Sequence, residues 1–145
     1  FTSQPDWNGN NYGGTANTIS TSGGNLSVAA GGYYLVRANT KNSTWSNYLV
    51  TGVGIVGGFT GWSVNPDVTL TYDSGNKVWK TTFTLGSDSE LKFRFNSSWD
   101  VNLGDSGGDG VLEFNGDNLA MKAGTYDVVL NLSNGGYYTY SFTKK

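Results

Sequence analysis

Cysteine and histidine are both missing from this sequence. Without cysteine there is no disulfide framework, no thiol nucleophile and no cysteine-ligated zinc site. Without histidine, Ser-His-Asp chemistry, imidazole acid–base catalysis and histidine-bound metals are excluded. Charge is sparse as well. Only 14% of residues are Asp, Glu, Lys or Arg, the net charge is −2, and no basic block occurs, so a nucleic-acid partner is not expected. No apolar run approaches the roughly 18 residues that a membrane-spanning helix needs. The chain opens at Phe1 with neither an initiator Met nor a signal peptide, which suggests a mature or trimmed piece.

What the chain does have is glycine, 22 residues of 145, together with 14% aromatics and many Asn, Thr and Ser. That is the profile of an all-β surface protein. The clearest strand is Glu90–Asn96, where Leu91, Phe93 and Phe95 alternate with Lys92, Arg94 and Asn96. Alternation of this kind places the apolar set inward and the polar set on the surface. Further strands are expected at Val53–Val56, Thr69–Tyr72, Val78–Leu85, Val111–Phe114, Thr125–Leu132 and Tyr137–Thr143, with turns at Asp73–Asn76 and Ser133–Gly136. Short strands at such spacing, without helical periodicity, predict an Ig-like antiparallel β-sandwich of the carbohydrate-binding-module type.

The chain also repeats itself. Phe1–Trp7 lies on Phe93–Trp99, a shift of 99 − 7 = 92, and Gly24–Val36 lies on Asp117–Val129, a shift of 126 − 33 = 93 that pairs Tyr33 with Tyr126. So long a period suits tandem β-domains rather than a solenoid. About one and a half modules are therefore expected. Residues 1–52 form the C-terminal part of a first, truncated module, and residues 53–145 form a complete one. A half-module alone would present open sheet edges. It must lean on the second module, pair with another copy, or belong to a longer chain.

Several residues could carry a site. Trp99 follows Ser97 and Ser98 where a turn normally holds something small. Exposed beside Lys92 and Arg94, its ring would stack on the C–H face of a pyranose while the cations donate to hydroxyls. It could equally fold back into the core. Trp62, in the glycine-rich Gly57–Trp62, is either a second platform or a cap on the core. Trp79 shares a strand face with Phe83 and Leu85 and reads as core. Asn118 could reach a ligand, or serve only its turn. The Asp100–Gly110 loop offers Asp100, Asn102, Asp105 and Asp109 as oxygen ligands, loosely like a calcium loop, but lacks the closing bidentate Glu. No metal or other cofactor is expected. Glycoside hydrolysis needs two positioned carboxylates; Asp100 and Asp105 sit in a loop, and Glu90 and Glu113 look like ordinary strand positions. Catalysis is not expected.

Taken together, Gly58–Trp62, Tyr72–Leu85, Leu91–Asp105, Phe114–Ser133 and Tyr137–Lys145 resemble the C-terminal repeats of the SusE/SusF outer-membrane lipoproteins, surface starch-binding proteins of Bacteroidetes. A fainter likeness is to the glycogen-binding module of the AMP-activated kinase β-subunit. That module has a Trp after a glycine-containing turn, a strand Lys, a second Trp seven residues on, and a later Asn. By motif position these fall on Trp62, Lys92, Trp99 and Asn118, and the spacing 99 − 92 = 7 is met. Arg94 joins them from strand alternation alone. The resemblance implies a shallow, non-catalytic site for an α-1,4-glucan, on a protein lipid-anchored at the cell surface by a segment outside this chain. Partners would be the glucan and other outer-membrane glycan-uptake proteins, with self-association through the incomplete module as a further expectation. Module one retains Trp7 and Asn25 but has no counterpart to Trp62, so one competent site is expected, in module two. The alternatives are a structural spacer or adhesive module with both indoles buried, and a site for a different glycan.

Overall fold

A computed structural model describes residues Phe1–Lys145 and contains strands, turns and one 3-10 turn, with no α-helix. The chain divides into two compact units, Phe1–Val50 and Thr51–Lys145. All strand pairings are antiparallel.

The first unit holds β1 (Gly13–Thr15), β2 (Thr18–Ser20), β3 (Tyr33–Asn39) and β4 (Thr44–Val50) in one sheet of order β1-β2-β4-β3. The second holds β5 (Val53–Gly57), β6 (Val68–Asp73), β7 (Val78–Leu85), β8 (Ser89–Phe95), β9 (Asn102–Gly104), β10 (Val111–Phe114), β11 (Leu119–Met121), β12 (Gly124–Asn131) and β13 (Tyr138–Lys144). Eight of these form a closed ring, β8-β5-β6-β7-β12-β13-β10-β9, because β9 pairs back onto β8, and β11 is added outside on β8. Two strands turn the corners. The first half of β6 pairs with β5 and its second half with β7, while β10 pairs through Val111 and Leu112 with β13 and through Glu113 and Phe114 with β9. The all-β antiparallel class is as expected. Closure departs from two separate packed sheets. It depends on β9, a three-residue strand inside the glycine-rich stretch that carries no alternation signal.

Inside the ring, alternate residues converge. Leu91, Phe93, Phe95, Ile55, Val53, Leu103, Val128 and Leu130 are buried, as are Trp79, Phe83 and Leu85 of β7. Phe93 contacts Tyr140 and Phe142, with ring centroids 6.1 and 6.0 Å away. Truncating such a ring costs about 3–5 kcal/mol through lost transfer energy and the cavity left behind.

The sequence repeat reappears in the backbone. The order β1-β2-β4-β3 matches β9-β10-β13-β12. Gly13 opposes Ser20 as Gly104 opposes Glu113. Gly14 N–H donates to Gly24 C=O at 2.8 Å, and Asp105 N–H to Asp117 C=O at 3.1 Å. A Cβ on Gly13 would fall 2.1 Å from Gly24 O, and one on Gly104 2.0 Å from Asp117 O, so glycine is required at both places. One pairing needs correction. Tyr34, not Tyr33, is the counterpart of Tyr126. Each hydroxyl donates to the carbonyl four residues back, Tyr34 to Ala30 at 3.1 Å and Tyr126 to Lys122 at 2.9 Å. A one-residue slip exchanges the two faces of a strand. It places Val36, 44% exposed in β3, on the face whose counterpart in β12 is buried.

Candidate functional site

The hairpin from β8 to β9 sets Trp99. Asn96 and Ser97 both have positive φ, 54° and 52°, and Ser98 N–H returns to Phe95 C=O at 2.9 Å. This turn of the primed type opens a five-residue connection, because Phe95 N–H bonds Val101 C=O at 3.0 Å on the far side. Asn96 is drawn out of the row formed by Lys92 and Arg94. Its Oδ1 accepts from Thr51 N, Thr51 Oγ1 and Gly52 N at 2.7, 3.0 and 3.1 Å. Beyond the turn, Trp99 is 42% exposed.

Trp62 comes from the connection between β5 and β6. The 3-10 turn Gly58–Thr60 is pinned by Thr60, whose buried hydroxyl accepts from Gly57 N at 3.0 Å and donates to Gly57 O at 2.9 Å. Three successive residues then take positive φ: Gly61 at 61°, Trp62 at 55° and Ser63 at 125°. For a bulky indole such a backbone is an outlier, and outliers of this kind concentrate at functional sites. Trp62 is half-buried, and its ring lies 6.2 Å from that of Trp99, centroid to centroid, at an interplanar angle of 36°. Neither indole belongs to the core, whereas Trp79 does.

Beneath the indoles runs a polar network on the outer face of β8. Arg94 was expected to be an exposed donor, and instead it is only 4% exposed. Its Nε and Nη2 donate to the two carboxylate oxygens of Asp67 at 2.8 and 2.7 Å, and its Nη1 donates to Ser63 Oγ at 2.7 Å. The guanidinium carbon lies 4.9 Å from the Trp99 ring centroid, within cation–π range. Gly54, opposite Arg94 on β5, makes room for this pair, because a Cβ there would lie 2.6 Å from Asp67 Cβ. Ser63 Oγ also accepts from Trp99 Nε1 at 2.9 Å. Arg94 therefore holds the site from below.

Lys92 is half-buried and donates to Asn102 Oδ1 at 2.9 Å. Burial moves its pKa below the ordinary 10.5, against an opposing pull from Asp117. Asn102, buried, spans the hairpin through its Nδ2, which donates to Trp99 O at 3.3 Å and to Asn115 Oδ1 at 2.8 Å. Asn118 is exposed just before β11 and donates to Glu90 Oε2 at 2.9 Å. The β11–β8 register, Leu119 opposite Leu91, brings Asn118 beside Lys92. Of the five expected site residues, Trp62 and Trp99 form a ring pair, Arg94 supports them, Lys92 shares the strand of Arg94, and Asn118 sits beside Lys92 just before β11.

The oxygen-rich loop is organised around Asp105. Asp105 is buried, and its carboxylate accepts from the N–H groups of Gly107, Gly108, Asp109 and Gly110 and from the Tyr140 hydroxyl. Asn102 serves Lys92 and the hairpin, and Asp100 is exposed. No group of three or more His, Cys, Asp or Glu side chains is placed to hold an ion. In the first unit Trp7 is 79% exposed, on the loop equivalent to that of Trp99.

Ser63 and Asp67 escape sequence reading. Neither lies on an alternating stretch, and Asp67 is linked to Arg94 across 27 residues. The only local signal is that Ser63 directly follows Trp62.

Comparison with protein-family models and with curated proteins finds no match for this chain.

Proposed function

We propose that the second unit is a non-catalytic binding module for starch or maltooligosaccharide, an Ig-like sandwich whose sheets are joined at their edges. It would act in a SusE/SusF-type glycan-capture protein at a bacterial cell surface. The observation that supports this reading is the tilted pair Trp62–Trp99, 6.2 Å apart at 36° and outside the core. Two indoles inclined to each other offer stacking faces for successive pyranoses of a curved α-1,4-linked chain. Lys92 and Asn118, along the same strand region, supply donors for hydroxyls. Asp67, the carboxylate of the network, is committed to Arg94, in keeping with binding rather than hydrolysis. A few stacks and polar contacts of about 1 kcal/mol each give Kd values of roughly micromolar to millimolar. Retention on a polymer would then draw on several sites at once.

Native affinity electrophoresis in amylopectin gels, with xylan gels as control, tests the reading. Migration of the wild-type chain should be retarded by amylopectin alone, and Trp99→Ala should abolish the retardation. Equal migration in both gels would reject an α-glucan site.

A further inference from the structure

One side chain, Ser63, bonds both a Trp of the pair and the buried ion pair beneath it. Its Oγ accepts from Trp99 Nε1 at 2.9 Å and from Arg94 Nη1 at 2.7 Å. A hydroxyl has two lone pairs and one proton, so both acceptor positions are filled. Trp62 is its covalent neighbour, and the backbone between them is held at φ 55° and 125°. A serine at φ 125° is strained, and glycine would adopt that conformation without cost. The strain persists although a glycine would relieve it.

We propose that Ser63 is a positioning residue of the site, the keystone that sets the tilt between Trp62 and Trp99. Asp67 fixes Arg94 by two bonds, Arg94 fixes Ser63, and Ser63 fixes the Trp99 edge while carrying Trp62 on its own backbone. The ring pair is thereby organised before any ligand arrives, which limits the side-chain ordering that binding would otherwise require. The saturation of Oγ also sets the sense of any contact Ser63 makes with a ligand. It donates its proton to a ligand oxygen, and cannot accept without releasing Trp99 or Arg94. The proposal rests on the glucan reading for its consequence in binding, while the geometry it assigns can be examined without ligand.

The test uses the full chain and the variants Ser63→Gly and Ser63→Ala. Far-ultraviolet circular dichroism reads the exciton couplet of the close indole pair, thermal unfolding reads stability, and titration calorimetry with maltoheptaose reads affinity. The couplet should be lost in both variants, and Kd should rise about tenfold, the equivalent of one hydrogen-bonded contact. Tm should be higher in Ser63→Gly than in Ser63→Ala, because only glycine relieves the backbone. Lost affinity in the more stable variant separates positioning from a general role in folding. An unchanged couplet with wild-type affinity in Ser63→Gly would overturn the proposal. If the wild-type chain does not bind maltoheptaose, the glucan reading fails, and the couplet of the ligand-free variants still decides whether Ser63 sets the pair.

Discussion

Arg94 and Asp67 form an ion pair whose side chains are only 5% and 4% exposed. Removing both charges from water is expensive, and the pair recovers that cost only through its bidentate geometry and the added Ser63 bond. The asymmetry between breaking and replacing such a pair yields a prediction. Arg94→Met leaves a buried, unpaired carboxylate and should lower unfolding free energy by about 3–5 kcal/mol. Adding Asp67→Leu should restore part of the loss. Urea unfolding of both single variants and the double variant measures the coupling; strict additivity would show that the pair does not act as a unit. Alternation in β8 places Arg94 on the outer face, but nothing within the strand shows that the Gly58–Asp67 connection covers that face. The side of the sheet was legible in the sequence, and the burial was not.

At the scale of elements, the Asp105 loop illustrates how a short stretch without periodicity becomes ordered. Burial alone would raise the Asp105 pKa, and the donors from Gly110, Tyr140, Asp109 and Gly108 together hold it below the ordinary 3.8. A depressed carboxyl contributes stability above its unfolded value and loses it as pH falls through the folded one. Asp105→Asn should therefore be less stable than wild type at neutral pH and lose less on acidification below about pH 4, as followed by thermal unfolding across pH. Tyr140 has the opposite sense. Burial first, and then the Asp105 bond, push it up from 10.0 to about 12. Its contribution is complete below the unfolded value and disappears as pH rises through the folded one. Spectrophotometric titration should find one tyrosine ionising near 12 in wild type and at lower pH in Asp105→Asn. The longer strands β7, β8 and β12 are legible from their alternation, because each buries one face throughout. β9 and β11 are three residues each, too short for a period to show, and they are specified by what they pair with. The repeat was legible in order but not in register, because adjacent tyrosines at 33 and 34 make either alignment plausible until the hydroxyl bonds distinguish them. The two candidate indoles were legible as residue types. Their tilt was not, since it depends on three successive positive φ angles and on Ser63.

At the scale of the molecule, the two units differ in how much they enclose. The second closes its sheet into a ring around a continuous core, whereas the first presents four strands with β1 and β3 at its edges. Exposure of Val36 and Leu49, 44% and 41%, on paired strands of that open sheet marks lower local stability. Hydrogen exchange should show β3 and β4 amides exchanging well before those of β5, β8 and β12. Equal protection would mean that the first unit is covered in solution by a second copy or another partner, which sedimentation would then distinguish. The ring has a seam where β9 returns to β8, held through Phe93–Leu103 and Arg94–Asn102, and the same hairpin carries Trp99. Opening that seam would pull Trp99 away from Trp62 and Ser63. Any occupant spanning the two indoles therefore works as a clasp on the seam, and its residence time enters the rate at which the unit comes apart.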